Sequence, residues 1–433
     1  MKQAVKETLL GSRAGRYVYG RAQEAWFEHG YRKRREHYQA LVAGDPRAFR
    51  LDAAVERVHR KLALRGYTPK LRRRGEVHTF AYVPSNWPHQ NQIASALPPL
   101  GPCTRFDYAA RGYELRLLRS REPGHRELRK RLFDELLGEI RRVHRETPID
   151  WFFSYAVGWD MSADVLHAIR SEIGVPTVNL SLDDKNWWDE IERGDEAGAL
   201  RHLAPHYDVA WTSARASVPW HWAEGGQGIF LPEGVNVDWF RPLDVPQDVS
   251  VGFVGNNFGW RPEIIDALRR AGIDVQVFGP AWPNARRLDD DEMLRFFNRC
   301  RINLGLGDMH YSRWLTNLKG RDFEIPATGR GLYLTTYNAD LAGCFSIGRE
   351  IECYRGVDEL IDLVRHHLRN PEEASAMAAR ARQRCIESHQ WVHRHETVLR
   401  HLRILGDADS PPPGGWKGPS AEGPPSEGWR GSE

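Results

Sequence analysis

The stretch KGRDFEIPATGRGLYLTTYNADL, Lys319–Leu341, sets a glutamate, Glu324, between Phe323 and an Ile-Pro pair, shortly before a Gly-Arg-Gly turn and a β-type run. Proline is favoured in a first helical turn, and glutamate is favoured near a helix N-terminus. One reading of Glu324 is therefore a dipole-stabilising residue on a short helix. Gly329 and Gly331 would stop that helix quickly. A carboxylate on so short an element is also placed to accept two hydrogen bonds from a vicinal diol. Lys319 and Arg321, just upstream, could meet a diphosphate, or could be ordinary surface charge. Ribose plus diphosphate is the part common to every sugar nucleotide.

A second pattern is VSVGFVGNNFGWRPEIIDAL, which reads as strand, Gly-Asn-rich loop and helix. Gly255, Asn256, Asn257 and Gly259 would let a ligand approach the backbone, and the helix start offers N–H groups to an anion. The pattern is neither the GxGxxG fingerprint nor a phosphate-binding Walker loop, and a plain strand-to-helix turn explains it as well. His310, in GDMHYSRW, follows another strand-like run and could face the same ligand or simply sit in a loop.

Three further places sit where strand-like runs end: Asn86–His89 in SNWPHQNQ, Asp160 in GWDMSADVLHAI, and Asp183–Asp184 in LSLDDKNWW. His89, Asp160 and Asp184 are candidate general bases for a hydroxyl nucleophile. Asp160 could equally cap a helix, and Asp183–Asp184 could close a turn. Asn86, Trp87 and Trp159 are candidate contacts to a ring-bearing substrate, with Trp187 and Trp188 nearby, although sixteen tryptophans mostly imply core packing. Asp289–Asp291 suit the N-terminal charge of a helix better than a metal site.

These residues need a frame to hold them. Residues 1–75 carry helical spacing. Strand-like runs then recur at HTFAYVP, PIDWFFSYAV, VPTVNLSLDD, YDVAWTS and GIFLPEGV, separated by helical or polar stretches. VNVDWFRPLDVPQ interrupts, and a second series follows: VSVGFVG, IDVQVFG, RINLGLG, GLYLTTY and REIECYR. Residues 372–405 read as helical. The alternation predicts an α/β class with two doubly wound, parallel sheets in tandem and a cleft between domains. The expected division is a basic helical extension over 1–77, a first Rossmann-like domain over 78–245, a second over 246–405, and a disordered Pro/Gly/Ser-rich tail over 406–433.

The 433 residues carry a net charge of only +3, yet residues 1–76 alone hold +11. Such a front end could meet nucleic acid, a membrane surface or an acidic partner, or be a solvated helical arm; a membrane-surface or nucleic-acid binder is thus an alternative reading, with nucleic acid the less expected partner. The N-terminus has no apolar segment of signal-peptide kind, and no apolar run reaches the ~18–20 residues of a membrane span. Five scattered cysteines, none paired at metal-ligand spacing, fit reduced thiols in a cytoplasm.

Three blocks carry a resemblance to a known family. They are KGRDFEIPATGRGLYLTTYNADLAGCF, then GREIECYRGVDELIDLVRHHLRNPEEASAMAARARQRCIESHQWVHR, and LPEGVNVDWFRP at Leu231–Pro242. Together they resemble the donor-binding half of GT-B glycosyltransferases, over residues of roughly 250–398, with the bacterial spore-maturation-protein (CgeB-type) group as the nearest match. The resemblance implies a metal-independent glycosyltransferase that uses a nucleoside-diphosphate sugar as donor substrate, without a bound cofactor. A carbohydrate, lipid-linked molecule or protein would accept the sugar. It assigns the ribose hydroxyls to Glu324, and Asn317 stands where many retaining members place a second glutamate. The broken glutamate pattern also permits a non-catalytic binding or scaffold protein of the same fold. The expected location is cytoplasmic, with peripheral contact at the inner membrane face through the basic N-terminus.

Overall fold

The computed structural model describes residues 13–120, 122–189, 199–283, 285–307, 309, 312 and 315–406. His310 and all of the proposed tail beyond Gly406 lie outside the described residues. The chain forms two bodies, each built on one parallel sheet.

The first body contains described residues 37–236 and 388–406. Its sheet comprises β1 (Thr79–Tyr82), β2 (Cys103–Phe106), β3 (Trp151–Ser154), β4 (Thr177–Ser181), β5 (Val209–Thr212) and β6 (Gly228–Phe230). The spatial order is β2-β1-β3-β4-β5-β6, with every neighbouring pair parallel. β1, β3, β4 and β5 are buried along their whole length. Burial on both faces is why β1, β3 and β5 read as near-continuous apolar runs, whereas β4, TVNLS, alternates and meets its buried Thr177 and Asn179 with Asp208 and Ser154.

Core packing explains much of the tryptophan content. Trp151, Trp188, Trp211, Trp220 and Trp391 are fully buried in this body. The Trp151 indole still finds a partner, donating to Thr79 Oγ1 at 2.7 Å. Residues 372–405 form two helices, Pro371–Ser388 and Trp391–His401, and the second packs Trp391, Val398 and Leu399 into the core beneath this sheet. His395 on that helix meets Phe153, Trp211 and Trp151 edge-on, and burial pushes its imidazole down to about 3, so it stays neutral.

The second body contains described residues 13–36 and 237–387. Its strands are β7 (Val249–Val254), β8 (Val275–Phe278), β9 (Cys300–Gly305), β10 (Leu332–Thr336) and β11 (Glu352–Tyr354), in the order β11-β10-β9-β7-β8 and again all parallel. Asp289 caps the helix Asp290–Arg299: its Oδ1 accepts from the Glu292 N–H at 2.8 Å, and Glu292 Oε2 accepts in return from the Asp289 N–H at 3.1 Å. The Asp289–Asp291 run is therefore helix-start charge, as its composition implies.

Both sheets share one topological feature. After β1 the chain adds β2 on one side, then crosses to place β3 on the other. After β7 it adds β8, then crosses to place β9 on the other side. Where strand order reverses in this way, the loops leaving the two central strands diverge and open a crevice beyond their carboxyl ends. Each body thus has one such crevice, between β1 and β3 and between β7 and β9. Among the described residues, no helix is long and apolar enough to cross a membrane.

Candidate functional site

In the first body, a cavity of about 280 Å³ lies at the carboxyl ends of β1, β3 and β4. Asn86, Trp87, His89 and Gln90 line it from the segment after β1, Tyr155–Val157 and Asp160 from the segment after β3, and Ser181–Asp183 from the end of β4. Tyr108, Arg119 and Trp187 complete the wall.

A chain of hydrogen bonds runs through this wall. Asn86 Nδ2 donates to the Tyr108 hydroxyl at 3.0 Å, and that hydroxyl donates to Asp160 Oδ2 at 2.8 Å. Asp160 Oδ1 accepts from the Val157 N–H at 2.8 Å, and the Tyr82 hydroxyl donates to the Asp160 carbonyl at 2.7 Å. Burial raises the Asp160 carboxyl to about 6, against the lowering effect of its Val157 and Tyr108 bonds. A carboxylate held near 6 suits a general base at neutral pH. Asp160 does not cap the following helix: Ser162 does, its Oγ accepting from the Val165 N–H.

His89 Nε2 lies 3.3 Å from the Tyr155 hydroxyl, and burial lowers the imidazole to about 4, so the ring is neutral at physiological pH and a weaker proton acceptor than Asp160. Trp87, 47% exposed, can offer a ring face to a ligand. The structure thus brings Asn86, Trp87, His89 and Asp160 together. It does not bring in Asp184 or Trp159. Asp184 is fully buried, and its Oδ2 accepts from Ser217 Oγ at 2.6 Å and pairs with His221 Nε2 at 3.0 Å, which makes it a strut of the core. Its neighbour Asp183 lines the cavity instead. Trp159 is buried and does not line the cavity. Tyr108, Tyr155 and Arg119 were not singled out from the sequence.

In the second body, the crevice between β7 and β9 collects the basic residues. The helix Arg321–Thr328 follows Gly320 and carries Pro326, which has no N–H to continue the ladder; it ends at Gly329 in the left-handed conformation, φ 65°. The helix is short, as the Pro-Gly spacing implied, and its first turn holds Asp322 and Glu324, both buried. Asp322 Oδ2 accepts from the Lys319 N–H at 2.8 Å and Oδ1 from the Tyr333 hydroxyl at 2.6 Å, fixing where the helix begins. Burial raises Asp322 to about 6.

The Arg321 guanidinium reaches the loop after β7. A β-carbon on Gly255 would stand 2.9 Å from Arg321 Nη1 and 2.7 Å from the Phe253 ring, so the glycine is what lets the side chain in. Arg261, absent from the sequence-based candidates, sits beside it. Its Nη1 donates to the Asn256 carbonyl at 3.2 Å and its Nη2 to the Leu306 carbonyl at 3.1 Å, linking the loops after β7 and β9. Burial, then the Arg261 charge, lowers the proton affinity of Arg321, while Glu324 opposes the shift. Two guanidinium groups and a buried carboxylate therefore lie close enough to act on one another beside the loop after β7.

Asn257 is occupied: its N–H donates to the Pro280 carbonyl at 3.0 Å and its Nδ2 to the Ala281 carbonyl at 2.9 Å. Trp282 Nε1 donates to the Gly255 carbonyl at 2.7 Å, bracing the loop from the same side. Gly329 stands apart from the cluster, at the opposite end of the helix and against Arg382; a β-carbon there would meet Arg382 Cδ at 2.7 Å. Its role is to cap the helix, and Arg382 donates to the Ala327 carbonyl. Asn317 is buried, its N–H donating to the Gly307 carbonyl at 3.2 Å. Among the described residues, one group could ligate a metal, His366, His367 and Glu373; it lies outside both crevices.

Known proteins match this architecture. Sucrose-phosphate synthase from Thermosynechococcus elongatus superposes with a TM-score of 0.51 at 12% identity, over 76% of this chain and 99% of its own. HepE from Anabaena, solved in complex with UDP-glucose, gives 0.50 at 11% identity, over 76% and 99%. OtsA gives 0.51 at 10% identity, over 75% and 99%. At these identities the likeness is one of fold. No curated protein sequence matches the chain. Residues 261–400, which begin at Arg261 and include Arg321 and Glu324, match the family model described as "Glycosyl transferase-like". The chain has the two-sheet α/β GT-B fold of these structures, and its residues 261–400 are similar to the glycosyl transferase-like family.

Proposed function

We propose that this protein transfers a glycosyl group from a nucleoside-diphosphate sugar to an acceptor hydroxyl. The observation that carries the reading is the crevice between β7 and β9, where Arg261 and Arg321 converge beside the buried Glu324. In this reading Glu324 accepts hydrogen bonds from the ribose hydroxyls. Arg261, Arg321 and Lys319 neutralise charge on the departing diphosphate, where a pre-placed cation lowers the barrier most. These guanidinium groups do the work a divalent cation does elsewhere, so the reaction is metal-independent. That HepE was captured with UDP-glucose supports a nucleotide sugar as donor.

The cavity of the first body is the acceptor site, and Asp160 is the favoured base. Its carboxylate, near 6, is half-ionised just below neutrality and receives the acceptor proton as the new glycosidic bond forms. His89 is the second candidate. Trp87 supplies a ring face for a carbohydrate. Asn317 at the position of a second family glutamate is compatible with inversion, in which the base acts directly on the acceptor.

The experiment is a panel of uridine, guanosine, adenosine and thymidine diphosphate sugars incubated with a mixed acceptor set, with product detected by mass. A hexose-sized mass gain on an acceptor, lost in Glu324→Gln, is the expected result. Persistent failure of every donor, with no nucleotide binding, would favour a non-catalytic binding protein of the same fold. The basic front end supports peripheral attachment to an anionic membrane, expected as vesicle binding that weakens with salt. Salt-insensitive or absent binding would remove that part.

A further inference from the structure

The first-body cavity contains a cation that the proposed chemistry leaves without a task. Arg119 follows the short helix Leu115–Leu118, and its guanidinium carbon lies 4.6 Å from the centre of the Trp187 ring. Both residues line the cavity. Among the described residues the Arg119 side chain makes no hydrogen bond or ion pair, and its Nε is sealed from water without a partner. Neighbouring arginines behave differently. Arg105 donates to the carbonyls of Val83 and Pro84 at 2.8 and 2.9 Å and to Asn91 Oδ1 at 2.9 Å. Arg129 donates to the Leu118 carbonyl at 2.9 Å. Arg65 and Arg170, whose Nε is likewise without a partner, still engage Asp208 Oδ2 at 2.7 Å and the His206 carbonyl at 3.1 Å through their terminal nitrogens.

The cavity's own acids do not meet this need. Asp160 directs one oxygen to the Val157 N–H and the other to the Tyr108 hydroxyl, and Asp183 Oδ1 faces Asn186 Nδ2 at 3.5 Å. Arg119 nevertheless acts electrostatically on Asp160, Tyr108 and Tyr155, which line the same cavity. Stacking on Trp187 holds the guanidinium plane while leaving its N–H edge available. A planar fork of donors matches the paired oxygens of a carboxylate or phosphate. At about 280 Å³ the cavity is near the lower end of ligand pockets, enough for one sugar ring with a substituent.

We propose that the acceptor is a monosaccharide-sized molecule bearing an oxyanion, and that Arg119 binds this group while the Asp160 side of the cavity receives the nucleophilic hydroxyl. The inference rests on the acceptor reading given above. Arg119 is then a specificity residue: it selects a charged acceptor over its neutral counterpart.

The test is calorimetric titration of the full chain with glucose, galactose and mannose, their 6-phosphates and their uronic acids, using wild type, Arg119→Gln and Arg119→Lys. Wild type is expected to bind either the phosphates or the uronates at least about tenfold more tightly than the neutral sugars. Which series wins identifies the oxyanion. Arg119→Gln is expected to abolish the preference, and Arg119→Lys to restore part of it. Equal binding of charged and neutral sugars by wild type, no binding of any charged sugar, or a preference that survives in Arg119→Gln would overturn the proposal. Thermal stabilisation by nucleoside diphosphates, measured on the same samples, separates the two readings. If it is retained while sugars are not discriminated by charge, only the Arg119 inference fails. If it is absent throughout, the transferase reading fails. Unchanged affinity of Arg119→Gln for the neutral sugars shows that the first body of the variant is folded.

Discussion

Replacing Asp160 with Asn tests the tuning of the candidate base without knowledge of any substrate. Asp160 is 3% exposed, and burial raises its carboxyl from an ordinary 3.8 to about 6. A group whose folded pKa lies above its unfolded value stabilises the fold below the unfolded pKa and loses that contribution as pH rises through the folded one. In wild type, stability should therefore fall between about pH 4 and pH 7 as the buried carboxyl is forced to ionise. A shift of roughly two units corresponds to about 3 kcal/mol. Asp160→Asn has no such ionisation. The stability difference between variant and wild type should move by about 3 kcal/mol in favour of the variant from pH 4 to pH 8. Asp322 is raised in the same range, but it is present in both proteins and cancels in the difference. Urea unfolding followed by tryptophan emission gives the readout, since Trp151, Trp188, Trp211 and Trp220 are all buried in the first body. A difference independent of pH would refute the assignment of Asp160 as the group tuned into the general-base range.

Asp184→Ala should behave in the opposite sense. Although burial acts against ionisation, the His221 charge and the bonds from His221, Ser181 and Ser217 hold Asp184 below the usual carboxylate range. Its contribution is present above the unfolded pKa and lost as pH falls through the folded one. Removing it should cost about 3 kcal/mol near neutrality, shrinking below about pH 4, by urea unfolding across pH. Gly255→Ala should cost about 1–3 kcal/mol by the same assay and weaken nucleotide affinity, because the added carbon falls within 2.9 Å of Arg321 Nη1.

Much of the architecture was readable from the chain. Ten of the strands fall on β-type runs read from the chain; the most apolar, such as WFFS and VSVGFV, lie inside their sheets, where burial on both faces favours apolar residues. β2, CTRF, escaped notice: it is an edge strand, half-exposed, with Thr104 and Arg105 in a four-residue span. The awkward placement of Glu324 was also legible, since Pro326 and Gly329 fix a short buried helix whatever the ligand. Arg261 was not. In RPEIIDAL it reads as a helix start, and only the fold brings its guanidinium to the Leu306 carbonyl, 45 residues away. Tyr108 and Arg119 were hidden for the same reason, since their importance comes from facing Asp160 and Trp187 across loops. Asp184 shows the converse. Its neighbour Asp183 faces the cavity, and one step along the chain turned the carboxylate inward to Ser217 and His221.

The most direct test of the donor site is calorimetric titration with nucleoside diphosphates and with inorganic pyrophosphate, using wild type, Glu324→Gln and Arg261→Met. If Glu324 holds the ribose and the guanidinium groups hold the diphosphate, one nucleotide binds wild type. Glu324→Gln should then weaken it by about tenfold or more while leaving pyrophosphate nearly unchanged, and Arg261→Met should weaken both. No nucleotide binding by wild type, or an equal loss of nucleotide and pyrophosphate in Glu324→Gln, would contradict the account.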